Sequence, residues 1–452
     1  MDEIVISFDK GDFTKMVMLS DSLKIYCQDE PESIRKADSL IDISARIRLD
    51  FSFRRDEIIE KIETTAGEVS DEDITAWENK RWLEYRVIDG RKRYFNRAAS
   101  NLMLLRGFYE EKESRSKAAR RDPDMALRLN HTEQILRSTG SETKPAVPVD
   151  MLITFTLTVQ PDAVPEGETI RCWIPWPKGS HPRQKAPELI SASEPEYVIA
   201  PDSNIHRSIY MEKPAHDGEP SVFRVRYRYL SAGQYFNFNQ FKVLPYDSSS
   251  ELYKKYTSEQ LPQICFTENV RRLADSITGL HDDPVTTVRK IYMWFKENIP
   301  WTGALEYSTI PNIPEYVMSN RRGDCGMQTL LFMSMLRYKG IPVRWQSGWM
   351  VPPGFENLHD WCEVYFEGTE WVPADVSYDL QDSDIPGLRE FYLSGIDSWR
   401  LIVNDGIAGS FIPEKRFLRS DPFDFQRGEV EWKGGNLYYD QWDYEMEVEY
   451  VK

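Results

Sequence analysis

The spacing of apolar positions along this chain shifts from region to region, and it predicts helices first, strands next and a mixture after that. Over residues 31–53, Ile34, Ala37, Ile41, Ala45 and Leu49 recur at roughly helical intervals with Asp and Arg between them, as an amphipathic helix requires. Leu83 to Ile88 and Arg93-Tyr94-Phe95 flank Asp89-Gly90, the pattern of a hairpin closed by a tight turn. Residues 117–121 and 125–136 read as polar-rich helices, and the basic stretch 115–121 as a solvated helix face. Thr143-Lys144-Pro145-Ala146-Val147-Pro148 predicts a linker, after which the period drops to two. Met151, Ile153, Phe155, Leu157 and Val159 alternate with polar or outward positions, and Ile170, Cys172 and Ile174 repeat the pattern. Phe223, Val225, Tyr227 and Tyr229 alternate with Arg224, Arg226 and Arg228. Turn clusters between these strands predict a small β-sandwich, with the arginine stripe on its solvated face.

Helical spacing returns further on. Asp283 and Pro284 fit an N-cap and first helical position, with Val288, Ile291, Trp294 and Phe295 as the buried face and an end at Ile299-Pro300-Trp301. Met327, Leu330, Leu331 and Ser334 mark a second helix, which begins at Cys325 and closes at Lys339-Gly340. Residues 358–366 have strand character, with Trp361, Glu363 and Tyr365 on the face of His359 and Cys362 on the other, where a structural role is expected. Residues 370–376 predict the next strand, reached through Glu367-Gly368-Thr369. The tail carries Phe391-Tyr392, Phe423-Asp424-Phe425, Trp432, Tyr438-Tyr439 and Trp442, and residues 445–451 alternate like a terminal strand. The domains expected are therefore a mostly helical region over 1–145, a sandwich over 146–250, a core over 251–384, and an aromatic, β-rich extension over 385–452 packed on that core. The fold class is α+β.

This pattern places candidate chemistry in the third region. A thiol at a helix N-terminus faces unpaired backbone N–H groups and the positive end of the dipole, which favours the thiolate a nucleophile needs. His359 follows Cys325 by 34 residues and Asp375 follows by a further 16, on strands that can lie side by side. An aspartate beside a histidine fixes its tautomer and steadies the imidazolium. Singly, each residue has a bland alternative: buried cysteines are mostly inert, and strand histidines are mostly hydrogen-bonded core.

Together they carry a resemblance. Gly323-Asp324-Cys325, Gly340-Ile341-Pro342-Val343-Arg344, His359-Asp360-Trp361 and Trp371-Val372-Pro373-Ala374-Asp375 resemble, in order, the segments of the transglutaminase-like superfamily. The resemblance, of bacterial type, covers residues 280–380 strongly. It implies a papain-like core with Cys325 as nucleophile, His359 as general base and acid, and Asp375 as orienter, and it suits a sandwich ahead of the core. A tryptophan upstream of the cysteine serves the oxyanion in animal relatives, which points to Trp301, with Tyr307 second, beside the backbone N–H of Cys325. A core role for Trp301 fits equally. The triad implies a cysteine hydrolase of peptide or amide bonds acting through a thioester at Cys325. The alternatives are a transglutaminase, in which an amine replaces water and Trp301, Trp349 and Trp361 line a tunnel, and a non-catalytic binding protein.

Composition narrows the partners. A formal charge of −17 argues against nucleic acid or an anionic lipid surface, and leaves a peptide, protein or amide substrate open. Cys27, Cys172, Cys265, Cys325 and Cys362 show no metal-ligand spacing, so neither zinc nor a disulfide framework is expected. Residues 379–384 lack the glycine and glutamate of a calcium loop in either register, so no metal or cofactor is expected. Residues 1–10 hold three acids and an apolar run too short for a leader. The expected location is the cell envelope or periplasm where a leader has been removed, and the cytoplasm otherwise.

Overall fold

The computed structural model describes residues 1–26, 29–110, 123–139, 143–241 and 243–451. The basic stretch 115–121, its expected helix and Cys27 lie outside these residues. The chain forms two compact units. One comprises the described residues of Met1–Lys117 with Pro300–Asn312 and Tyr316–Asp324, and the other holds the described remainder. The helical region is thus not the contiguous 1–145 that its periodicity suggests.

The first unit begins with α1 Asp2–Asp9, α2 Phe13–Tyr26 and α3 Pro31–Asp50. Pro31 opens α3, where its fixed φ suits the first turn and its missing N–H costs nothing. α4 Arg55–Ala66 and α5 Asp71–Asn79 follow, the latter capped by Ser70 in a reciprocal box with Asp73. β1 Tyr85–Ile88 and β2 Arg91–Tyr94 pair antiparallel, and Asp89 (φ 48°) and Gly90 (φ 73°) are both left-handed, as the two-residue turn demands. α6 Ala98–Tyr109 completes the series. These elements hold the segment running up to Asp324. Asn101 exchanges 2.8 Å hydrogen bonds with both N–H and C=O of Gly303. Asp50 accepts from Glu306 N at 3.1 Å and Thr309 Oγ1 at 3.2 Å. The buried Arg322 donates to Glu84 at 2.7 Å, and Tyr307 Oη donates to Asp324 at 2.7 Å.

The second unit starts with α7 Pro123–Thr139, then β3 Ala146–Val159, β4 Thr169–Pro175, β5 Glu188–Ala192, β6 Val198–Ile199, β7 Ser208–Pro214 and β8 Ser221–Tyr235. Strand β3 starts inside the expected linker, because Ala146 already pairs with Gly233. Four helices come next: α8 Glu251–Thr257, α9 Glu268–Ile277, α10 Pro284–Asn298 and α11 Ile313–Asn320, the last divided between the units. Asp283 caps α10 by accepting from Thr286 N, and Val288, Ile291 and Phe295 are buried, with Tyr292 taking the buried place expected of the half-exposed Trp294. The chain continues through α12 Cys325–Tyr338, β9 Val343–Met350, β10 Asn357–Tyr365, β11 Trp371–Ala374, α13 Phe391–Ser394, β12 Gly395–Ile396 and β13 Arg400–Asn404. It closes with β14 Glu429–Trp432, β15 Gly435–Leu437 and β16 Trp442–Tyr450.

Among the described residues, three antiparallel sheets result in this unit. One runs β12-β8-β3-β16 with β5 also on β8, another β15-β14-β4-β7-β6, and the third β11-β10-β9-β13. The alternating apolar positions of β3, β4 and β8 form one core with Val430, Leu437, Trp442 and Met446. The tail therefore does not simply pack on the core as an extension. Strand β16 completes a sandwich sheet, β14 pairs with β4, and β13 adds an edge to the third sheet. No helix among the described residues is long and apolar enough to cross a membrane.

Candidate active site

Helix α12 is buried from Cys325 to Arg337, because the apolar run between them packs against β9, β10 and neighbouring helices on several sides. It stops at Gly340, whose φ of 74° is the left-handed cap conformation, while Ile341 N returns to Leu336 O at 3.0 Å. The buried Arg337 then donates to Val343 O at 2.9 and 3.1 Å, fixing the turn into β9. Directly across β9 and β10, Arg344 and His181 hold the buried Glu363, at 2.6 and 3.0 Å. Burial raises that carboxyl's pKa, but the Arg344 charge first and the His181 contact second outweigh it and keep the group well below the usual range. The arginine of the Gly-Ile-Pro-Val-Arg segment thus serves the sheet.

His359 and Asp375 meet at the end of this sheet. Asp375 lies just past β11, in register to share the His359 face, and His359 Nε2 stands 2.6 Å from its Oδ2. An ionised carboxylate only accepts, so Nε2 carries the proton and Nδ1 is left with the lone pair. The other oxygen, Oδ1, accepts from Ser377 N at 3.2 Å and Ser377 Oγ at 2.9 Å, and Asp375 N donates to Tyr392 O at 2.8 Å. Burial works against the Asp375 carboxylate, but His359 and Arg400 more than offset it and hold its pKa far down. The imidazole pKa is lowered, first by burial and also by the positive charge of Arg400, against the pull of Asp375. Tyr378 meets the ring edge to face at 5.1 Å.

Cys325 is buried at the N-terminus of α12, and its Sγ lies 3.3 Å from Asp360 Oδ2, on the residue adjacent to His359. Asp360 Oδ1 accepts from Gln426 Nε2 at 2.8 Å, and the same amide donates to His359 O at 3.0 Å. Asp424, which interacts with Asp360, has its carboxyl pushed up chiefly by burial. Asp424 is further held by Ser347 and by Asn404 Nδ2 at 3.0 Å. Cys362 lies on the strand face opposite His359, fully buried with its thiol pushed well up by burial.

The tryptophans fall in different places. The backbone of Trp301 bridges to Gly323, two residues before Cys325, while its side chain stays 42% exposed. Trp349 pairs across the sheet with Leu358 and Trp361 with Gln346, so their indoles leave opposite faces. Trp349 packs on Phe155 and Tyr444 in the sandwich core, and Trp361 on Ile396 and Ile402. They do not line one tunnel. Asp360, Arg400, Ser377 and Gln426 were not expected from the sequence. The available signal was Arg400 itself, a charge opening the apolar run Leu401-Ile402-Val403.

Residues 271–376 match the family described as transglutaminase-like superfamily. The uncharacterized protein YebA of Bacillus subtilis (strain 168) is 29% identical over 132 residues, which is 25% of this chain and 18% of that protein. The chain thus aligns with about a fifth of that relative's length. Among solved structures, a candidate cysteine protease from Cytophaga hutchinsonii superposes with a TM-score of 0.43 at 12% identity, over 68% of this chain and 92% of that one. The periplasmic domain of TgpA from Pseudomonas aeruginosa gives 0.26 at 16% identity, over 59% and 95%.

Proposed function

From the transglutaminase-like domain that this chain carries over residues 271–376, we propose a cysteine hydrolase acting on peptide or amide bonds. The observation that carries this reading is the buried His359–Asp375 pair beside a strand residue that touches Cys325 Sγ. A hydrogen-bonded imidazole and carboxylate sealed from water are costly to bury unless they have work to do. In the proposed reaction Cys325 gives its proton to Nδ1 of His359, and its sulfur bonds to the substrate carbonyl carbon. Collapse of the adduct breaks the C–N bond, and His359 returns the proton to the leaving amine. Water, deprotonated by His359, then breaks the thioester. The backbone N–H of Cys325 is the donor proposed for the oxyanion.

Water is favoured over an amine as acceptor by the separation of Trp349 and Trp361 onto opposite faces, since a transferase needs a tunnel that shields the thioester. The test is a library of labelled peptides and amides incubated with protein, with and without added primary amine, and read by mass spectrometry. Hydrolysed product that disappears in Cys325→Ala is expected. Product that forms only with amine, and carries it, would replace this reading with a transglutaminase. Failure of Cys325 to form an acyl adduct with any library member would leave a binding protein.

A further inference from the structure

Arg400 is wholly buried, and it enters the site from β13, beyond the end of the matched segments. Its Nη1 lies 2.9 Å from Asp375 Oδ2, the same oxygen that holds His359 Nε2, and its Nε donates to Asp397 Oδ2 at 3.1 Å. Rings of Trp361, Tyr378 and Tyr392 surround the guanidinium at 5.3, 4.8 and 5.7 Å. Strand pairing of β13 with β9 fixes its approach, and Tyr229 Oη holds its carbonyl at 3.0 Å. An ion this deep costs several kcal/mol to desolvate, in the order of magnitude, and two carboxylates are what offsets it.

The charges do not simply cancel. Asp397 answers Arg400 directly and accepts from Tyr392 Oη and Trp399 N, so one carboxylate neutralises the guanidinium. Asp375 is then shared between Arg400 and His359. A proton arriving on His359 would place a second cation against a carboxylate already engaged by one. Resting on the hydrolase reading above, we infer that Arg400 is a positioning residue that clamps Asp375 against His359 and keeps the imidazole in its neutral, proton-accepting form. Cys325 then stays a thiol until substrate arrives, and the proton moves to His359 only as the carbon–sulfur bond forms.

The charged and titratable groups facing this cluster are Asp375, Asp397, Tyr378, Tyr392, Arg128 and Arg183, with Lys296, Tyr292 and Cys362 toward Asp375 and His131 toward Asp397. The test follows the His359 ring by NMR on the full chain labelled at histidine, with the signal assigned by its loss in His359→Gln. Arg400→Met should move the His359 titration up by about one pH unit or more, as loss of a neighbouring cation does, while Arg400→Lys should keep it near the original position. Arg400→Met leaves Asp397 uncompensated and can fail to fold. Arg400→Met with Asp397→Asn removes one charge of each sign and should show a smaller upward shift, because Asp397 by itself favours the protonated ring. An unmoved titration in the folded variant would overturn the inference. Because the titration needs no substrate, it stands apart from the hydrolase assay. A shifted His359 in a protein that cleaves nothing sinks the activity and keeps the clamp.

Discussion

A thiol beside a carboxylate is a weaker acid than a thiol alone, because ionising both brings two negative charges together. Asp360 Oδ2 stands 3.3 Å from Cys325 Sγ, and so opposes the helix N-terminus that favours the thiolate. Asp360→Asn should be well tolerated, since the amide oxygen can still accept from Gln426 Nε2. The expected result is alkylation of Cys325 by iodoacetamide about fivefold faster near neutral pH, read by peptide mapping with the buried Cys172 and Cys362 as slow internal references. An unchanged rate would mean that Asp360 does not tune this thiol. The contrast in legibility at this scale has a physical source. Cys325, His359 and Asp375 each stand at a position that local pattern marks: a helix start, a strand, the end of the next strand. Asp360 and Arg400 act only because a distant loop and β13 fold onto them, and no local period encodes that approach.

Elements divide along the same line. Helices α3, α10 and α12 and the hairpin β1–β2 lie close to where periodicity, caps and the Asp-Gly turn put them, because their bonds close within a few residues. Partners of β3 are another matter. Its long alternation announces a half-buried strand, but nothing in it says that β16 pairs along it, with Met446 opposite Phe155. Sequence alone therefore recognised the last strand and placed the β13 part of the tail on the core, but missed that β14 and β16 join the sandwich sheets. Trp442 tests the consequence. It is 2% exposed, belongs to the sandwich core and donates from Nε1 to Leu437 O at 3.0 Å. Trp442→Ala should cost about 3–5 kcal/mol, as truncating a buried tryptophan does. The loss should appear as an earlier urea transition reported by the sandwich. If the tail were a detachable extension on the core, that transition would stay in place.

For the molecule as a whole, buried carboxyls pull stability in two directions with pH. Asp375, Glu363 and Asp397 have pKa values held below the unfolded ones by their cations. Their contribution is present above pH ~4 and is lost as acid protonates them in the folded state. Asp50 does the opposite. Burial first, and the nearby Glu306 second, push its pKa to about 7, although Glu306 N and Thr309 Oγ1 still donate to it. The folded state therefore holds a proton that the unfolded chain has released, so stability contributed by Asp50 is complete below pH ~4 and falls as pH rises to 7. A shift of this size is worth about 4 kcal/mol as an order of magnitude. Asp421, also pushed up by burial first and by Asp424 second, acts in the same direction. The net charge of −17 favours the same trend through repulsion, so the wild-type slope alone cannot identify its source. Asp50→Asn separates the two, because it alters the net charge by only one while replacing the buried acid with an amide that can still accept both bonds. The variant should melt close to wild type at pH 5 and clearly above it at pH 8, by calorimetry of the full chain. Equal melting temperatures at both values would mean that Asp50 ionises freely in the folded protein and carries no such cost.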